Sequence, residues 1–308
     1  MKILLLGANG QLGHSFLADG GLAARGELIA ASRDGSLTKS GQGEVADFSA
    51  PATLTALLDR VRPNVIVNTA AYTAVDRAET EPELAKRVNG EAVGFLGRWA
   101  AKHDAKVIHY STDYIFAGDQ PQPYPVDAPV GPLSAYGLSK LLGEQVLRES
   151  AAHHLIFRTA WVYAQHGQNF LRTMLRLGSE RDELRVVADQ HGSPTSTHLI
   201  VKASLSAFDR WTSEDSNELG GTHHLVASGC TTWHGFAEAI FEQASALGLI
   251  ARRPRVTPIP SSDFPTPAVR PAWSLLDNTD FQRRFHFALP DWQNGLQDVM
   301  QKLNVSRH

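Results

Sequence analysis

Residues Gly7-Ala8-Asn9-Gly10-Gln11-Leu12-Gly13 constrain what this chain can fold into more than any other segment. They follow an apolar run, Ile3-Leu4-Leu5-Leu6, and lead into a helix-compatible stretch over 11–18. Glycine is needed in such a turn for two reasons. It adopts backbone angles that other residues resist, and it lets the backbone approach a pyrophosphate with no Cβ in the way. The helix that follows offers unpaired N–H groups and the positive end of its dipole. A G-x-x-G-x-x-G pattern could be an empty loop, but between a first strand and a first helix it reads as a dinucleotide-phosphate turn.

The same alternation continues through the first half. Strand-like runs at 28–31, 65–70, 107–110 and 155–158 are separated by helical patterns at 53–61, 83–102 and 136–149. Apolar strands with little polar alternation, separated by helices, predict a doubly wound parallel α/β sheet of the Rossmann type, covered on both faces. After about residue 165 the pattern loosens. Pro254, Pro258, Pro260, Pro265, Pro267 and Pro271 argue for extended or turning chain. Residues 223–226 read as another strand, and Thr232 as the cap of a helix over 233–247. The expected division is a dinucleotide-binding domain over 1–165 and a smaller α/β substrate-binding domain over 166–308, with a soft boundary that the chain can cross back over.

Charge and cysteine usage narrow the partners. A net charge of -3 gives no electrostatic reason to expect nucleic acid or an anionic membrane. The lone Cys230 excludes an internal disulfide and suits a reducing cytosol. The first apolar run is too short for a signal peptide or a membrane span of roughly 20 residues, so a soluble, cytoplasmic protein is expected.

Downstream of the turn stand the residues that suggest chemistry. Tyr136 and Lys140 lie four apart at the start of a predicted helix, so both fall on one face. A nearby ammonium, together with a nicotinamide ring, would favour the phenolate and lower the tyrosine pKa from about 10 towards the working range. Thr112 follows a predicted strand directly, at the carboxyl end where open α/β sheets bind ligands. Its hydroxyl can bond a substrate carbonyl and stabilise the alkoxide formed as hydride arrives. Beyond the second strand, Arg33 suits a 2′-phosphate, though a solvated surface arginine fits the same position. Asp47, followed by Phe48, can accept from an adenine amino group.

These segments, with others, resemble the dTDP-4-dehydrorhamnose reductases of the extended short-chain dehydrogenase/reductase superfamily over nearly the whole chain. The resemblance rests on Gly7 to Gly13, Asp47-Phe48-Ser49, Arg62-Pro63-Asn64-Val65-Ile66-Val67-Asn68 and Ala70-Ala71-Tyr72-Thr73-Ala74-Val75-Asp76. It continues through His109-Tyr110-Ser111-Thr112-Asp113-Tyr114-Ile115-Phe116, the Tyr136/Lys140 pair and Phe157-Arg158-Thr159-Ala160-Trp161-Val162-Tyr163. Asp189-Gln190-His191-Gly192-Ser193-Pro194-Thr195 and Pro265-Thr266-Pro267-Ala268-Val269-Arg270-Pro271 complete it.

The resemblance implies reduction of the C4 keto group of dTDP-4-dehydro-L-rhamnose by hydride from NADPH, with NADH as an alternative. Tyr136 would deliver the proton, Thr112 orient the carbonyl, and Lys140 tune the tyrosine and hold the ribose. Gly7, Gly10, Gln11, Leu12 and Gly13 would cradle the pyrophosphate. Asp47, Phe48, Ala71, Tyr72, Thr73 and Tyr110 would line the rest of the cofactor groove. Val75, Asp113 and Trp161 would meet the sugar nucleotide. Arg270 suits a diphosphate by its guanidinium, with a structural pairing to a local acid as the competing reading.

One departure bears on metal and assembly. Some relatives use a glutamate two residues after the third glycine to help bind Mg2+ at a dimer interface, whereas this chain has Ser15, a poorer ligand for a hard cation. No metal-binding residues are expected, Mg2+ dependence stays open, and a monomer or weak homodimer is anticipated. The paired histidines 153–154 and 223–224 point to opposite faces if they lie on strands, which suits packing rather than ligation. Two rival readings share the scaffold. One is a sugar-nucleotide epimerase, synthase or dehydratase, although Tyr114 stands where dehydratases carry a second carboxylate. The other is a regulatory module resembling the beta subunit of methionine adenosyltransferase.

Overall fold

In the computed structural model, which describes residues 1–38, 41–213 and 216–305, every apolar run of the first half becomes a strand of one sheet. The strands are β1 (Lys2–Leu6), β2 (Glu27–Ser32), β3 (Glu44–Val45), β4 (Val65–Asn68), β5 (Lys106–Thr112), β6 (His153–Thr159) and β7 (Gly221–His224). Their order is β7-β6-β5-β4-β1-β2-β3, and all pairings are parallel. The helices that matter below are α1 (Gln11–Asp19), α2 (Pro51–Val61), α3 (Ala92–Lys102), α4 (Ala135–Glu149), α5 (Phe170–Glu180), α6 (Thr197–Ser213) and α7 (Trp233–Ala246).

Alternate strand residues face opposite sides, and both sides are buried. Ile3, Leu5, Val65, Val67 and Ile108 pack with Phe16 of α1 and Ile200, Phe208 and Trp211 of α6. Leu4, Leu6, Ile66 and Val107 pack instead with Leu54, Leu57 and Leu58 of α2 and Leu96 and Trp99 of α3. That double coverage explains why the strands lack polar alternation.

The chain builds outward from β1 to β2 and β3, then returns across the sheet to β4. This reversal opens a crevice beyond the carboxyl ends of β1 and β4, the usual place for a ligand in an open α/β sheet. The glycine turn follows β1, residues 69–73 follow β4, and Thr112 ends β5. The second half contributes to the same body. His223 and His224 of β7 pair with Phe157 and Arg158 of β6, so a strand well after residue 165 extends the central sheet. A two-stranded sheet of Glu183–Val187 with Arg255–Ile259 stands apart from it. No helix among the described residues is long and apolar enough to cross a membrane.

Two elements differ from the sequence expectation. The helix expected over 83–102 is divided into Pro82–Lys86, a π-helical turn Arg87–Glu91, and α3. A π turn accommodates an extra residue and re-aims a side chain. Here the buried Asn89 accepts from the Tyr72 N–H (2.8 Å) and donates to the Tyr72 carbonyl (3.0 Å) and Ser139 Oγ (2.9 Å). It thereby ties the loop after β4 to α4. Close approach makes this work, because a Cβ at Gly143 of α4 would collide with the Asn89 carbonyl. The second difference is β7, which ends at His224. Both of its histidines are packed, His223 between Phe157 and Phe285, and His224 beside Phe116 and Arg158.

Candidate active site

Gly7 has φ 78°, and a Cβ there would stand 2.6 Å from the Ala70 nitrogen, so both conformation and contact require glycine. A Cβ at Gly13 would strike the Gly7 carbonyl oxygen, because the first turn of α1 lies directly on the loop. Gly10 donates its N–H to that carbonyl at 2.9 Å. The α1 N-terminus carries no side-chain cap and no acidic residue in its first turn. Its leading N–H groups are therefore left for an anion, which is the condition a pyrophosphate site needs. Gln11 turns its side chain aside, accepting from Asn169 Nδ2 at 2.8 Å, and half-buried Leu12 packs on the core. What these two offer a phosphate is main chain. Gly13→Ala should weaken NADPH binding at least about tenfold, since the helix must retreat from the loop. A fluorescence titration giving an unchanged Kd would show that α1 yields without loss.

Beyond the glycine turn, Arg33 is exposed at the end of β2. Asp34 turns its carboxylate into the local turn, accepting from the N–H and hydroxyl of Ser36 (3.0 and 2.7 Å). Asp47 accepts from the Ser49 N–H and hydroxyl (2.9 and 2.7 Å), and Phe48 is buried beneath it. Ala71 and Tyr72 are half-buried and Thr73 is exposed along the loop after β4, with the Tyr72 hydroxyl donating to Glu81 at 2.6 Å. Asn9 has a role that pattern reading passed over. Its amide donates to the Ser36 carbonyl (2.8 Å) and accepts from the Thr38 N–H (3.2 Å), fastening the glycine turn to the segment after Arg33.

Ser134 caps α4, its hydroxyl accepting from the Gly137 N–H at 3.2 Å. A Cβ at Gly137 would strike the Tyr114 carbonyl, so the helix start is pressed against the turn that follows Thr112. Thr112 Oγ1 donates to Asp113 Oδ1 at 3.0 Å and accepts from the Tyr114 N–H at 3.2 Å. The Tyr114 and Tyr136 rings meet edge-on, with centroids 5.8 Å apart at 81°. Thr112, Asp113, Tyr114 and Tyr136 thus form one cluster at the carboxyl end of the sheet.

Within the protein by itself the phenol is raised rather than lowered. Burial pushes the Tyr136 phenol up to about 12; the Thr112 hydroxyl opposes this and the Asp113 carboxyl adds to it. Lys140 does not lower it. Its Nζ, on a residue only 2% exposed, is turned to the Tyr110 carbonyl (2.6 Å) and lies 3.5 Å from His109 Nε2. Burial in turn pushes Lys140 down to about 8, against the attraction of Glu144. A protonated phenol is what a reduction requires, because the tyrosine must give a proton to a nascent alkoxide. The Tyr110 ring is also turned away, its hydroxyl donating to Ser204 Oγ (2.7 Å) in the core, so only its main chain borders the site. Burial pushes Asp113 up to about 6, opposed by the Ser274 and Thr112 hydroxyls, and no protein donor stands within hydrogen-bond distance of its Oδ2.

Two tryptophans meet face to face. Trp161 takes a left-handed backbone, φ 47°, unusual for a bulky residue. Its indole stacks on Trp233, centroids 3.6 Å apart and planes within 4°. Trp233 Nε1 donates to Gln190 Oε1 at 3.1 Å. A Cβ at Gly192 would stand 2.6 Å from the Trp161 ring, which accounts for the glycine in the 189–195 segment. Trp233 reads in sequence only as the first residue of a capped helix, so its place opposite Trp161 is invisible there. Val75 starts a short turn whose Asp76 holds Arg270 in a two-point pair, at 2.8 and 3.1 Å. The local acid expected as the alternative partner of Arg270 is therefore present, and the guanidinium also reaches Tyr114. The Ser15 hydroxyl bonds the Gln11 carbonyl (2.9 Å) and Thr197 Oγ1 (2.8 Å), and no metal-holding group of three His, Cys, Asp or Glu occurs among the described residues. Ser15 is thus engaged within the chain and brings no carboxylate to a hard cation.

The family model described as RmlD substrate binding domain matches residues 1–305. A dTDP-4-dehydrorhamnose reductase of Shigella flexneri is 42% identical over 98% of both chains, and one of Burkholderia thailandensis is 43% identical over 95% of this chain and 96% of its own. Among solved structures, a dTDP-4-dehydrorhamnose reductase of Clostridium acetobutylicum superposes with a TM-score of 0.87 at 33% identity, covering 98% of this chain and 99% of that one. The Bacillus anthracis enzyme in complex with NADP gives 0.85 at 30% identity with the same coverage. A UDP-glucose 4-epimerase of Thermus thermophilus, at 18% identity and a TM-score of 0.79, shares the fold alone. Because the likeness runs through the elements after residue 165 as well as through the dinucleotide motifs, the chain belongs to the dTDP-4-dehydrorhamnose reductase family.

Proposed function

We propose that this protein reduces the C4 carbonyl of dTDP-4-dehydro-L-rhamnose to the alcohol of dTDP-L-rhamnose. The observation that carries the reading is the meeting of Thr112 and Tyr136 at the carboxyl end of the sheet, where the glycine turn and its uncapped helix N-terminus also lie. NADPH, when bound, supplies the hydride. The protein supplies the rest. The first-turn N–H groups of α1 hold the pyrophosphate, and Arg33 pairs with the 2′-phosphate, a partner its exposed position leaves within reach of solvent-borne anions. Asp47 faces the adenine, and residues 71–73 border the groove, stiffened by Asn89.

On the substrate side, the Thr112 hydroxyl orients the carbonyl, and Tyr136 gives its phenolic proton to the oxygen as negative charge develops there. Asp113 Oδ2, with no protein donor at hydrogen-bond distance, accepts from a sugar hydroxyl. Trp161 and Val75 bracket the sugar nucleotide, and Arg270, held by Asp76, Thr266 and the Ala268 carbonyl, brings its positive charge to the diphosphate.

The test is loss of NADPH absorbance with dTDP-4-dehydro-L-rhamnose generated in place. Substrate-dependent oxidation with dTDP-L-rhamnose as product is expected, and NADH competition then sets cofactor preference. Bound cofactor without net oxidation would point instead to an epimerase or a regulatory module.

A further inference from the structure

The buried side of Lys140 carries a hydrogen-bond pattern that ribose binding alone does not call for. Asn68, the last residue of β4, accepts from the Ala70 N–H through Oδ1 at 3.1 Å. That contact fixes which way the amide points, so Nδ2 is the atom 3.0 Å from His109 Nδ1. An amide nitrogen only donates, so Nδ1 is bare and a neutral His109 carries its proton on Nε2. Nε2 in turn faces Lys140 Nζ at 3.5 Å, while the Tyr110 carbonyl accepts from Nζ at 2.6 Å. Asn68, His109 and Lys140 are all buried.

We infer that His109, oriented by Asn68, is a positioning residue that acts through Lys140, directing an N–H at Nζ that disfavours the ammonium and stabilises the free amine. Two donors facing each other settle at a long separation, as 3.5 Å is for a hydrogen bond. An amine would accept the same N–H. The inference rests on Lys140 being the lysine of the catalytic site. Once Tyr136 has given its O–H proton to the alkoxide, the phenolate takes a proton from the Lys140 ammonium, directly or through an intervening hydroxyl. The amine lone pair then accepts His109 Nε2–H, and a solvent proton later restores the ammonium.

The surrounding charges permit this. Glu144, one turn along α4, favours the ammonium but is itself held by Arg158 and Arg148. His154 of β6 lies behind His109 and is lowered by its own burial. His109 is held well below the usual histidine range, by burial first and by Lys140 second, so it stays neutral.

Asn68→Asp tests the arrangement. One carboxylate oxygen keeps the Ala70 contact, and the other accepts from His109, moving its proton to Nδ1. The bare Nε2 then accepts from the ammonium, and Lys140 holds its proton more tightly. His109→Gln offers a carbonyl to Nζ to the same end and serves if the first variant folds poorly. The readout is kcat/KM for NADPH oxidation between about pH 6 and about pH 10, with NADPH Kd measured alongside. In the unmodified protein activity should fall as pH rises through the Lys140 value of about 8. In both variants that limb should move up by about one pH unit or more, with Kd within about twofold of the original. Lys140→Arg, which cannot titrate, should remove the limb. If Lys140→Arg keeps it, Lys140 is not the titrating group and the inference falls with that assignment. If the limb vanishes there but stays in place in both other variants, with rates lowered equally at every pH, His109 is merely structural and the inference alone is overturned.

Discussion

Tyr136→Phe should keep NADPH binding and lose at least about 100-fold in kcat, the scale of a positioned proton donor. The substitution removes one oxygen and little else. The Phe ring retains the edge contact with Tyr114, and α4 keeps its Ser134 cap. What disappears is the group that holds a proton at working pH, since burial keeps the phenol near 12. The loss should appear in single-turnover NADPH oxidation as well as in steady state, with KM little changed, because the interaction matters only as charge develops on the carbonyl oxygen. Turnover close to normal would remove Tyr136 from the chemistry and shift the search for a donor to Asp113, the neighbouring acid pushed up to about 6.

The largest stability effect should come from Arg158→Met. Arg158, 4% exposed, grips Glu144, 0% exposed, with two parallel bonds of 3.0 and 2.8 Å. It also donates to the Val126 carbonyl (2.8 Å) and lies over the Phe116 ring. Removing it leaves a buried carboxylate with the Ser111 hydroxyl and the exposed Arg148 at 3.0 Å, a change that costs about 3–5 kcal/mol. The pH dependence separates this from lost packing. Burial pushes the Glu144 pKa up, but the bonds and charge of Arg158, with smaller help from Ser111 and Arg148, together hold the carboxyl below its ordinary value. In the unmodified protein the pair therefore stabilises fully above the unfolded carboxylate pKa of about 4.3 and weakens as pH falls through the lower folded value. Without Arg158, burial dominates and the folded pKa rises, so the variant regains stability as acid protonates Glu144. Denaturant midpoints should thus differ most near about pH 8 and converge towards about pH 5. A gap below about 1 kcal/mol, or one that does not change with pH, would show that the pair is not the source.

Much of the fold was legible because its signals are local. The glycine turn and the apolar runs depend on near neighbours, and the strands and most helices lie where those patterns put them. The helix over 83–102 was misread because its period looks continuous, while the π turn at 87–91 answers a demand from elsewhere, the two-way bond between Asn89 and Tyr72. Arg270 carried two readings in sequence, and only the fold brings Asp76 to it. Trp233 carried no functional reading, because nothing in its own segment indicates the indole of Trp161 against it.

The sequence by itself determined the architecture and the cast of the site. Strand and helix periods, glycine spacing and the order of Thr112, Tyr136 and Lys140 are written in adjacent residues. Only the tertiary structure decided how that cast is charged. Lys140 stands one helical turn from Tyr136, and spacing alone predicts a lowered phenol pKa. The folded chain instead turns Nζ to the Tyr110 carbonyl and His109, and burial raises the phenol. The reason is physical: helical spacing follows from the backbone period, whereas a protonation state depends on desolvation and on donors and acceptors brought in by strands distant in sequence.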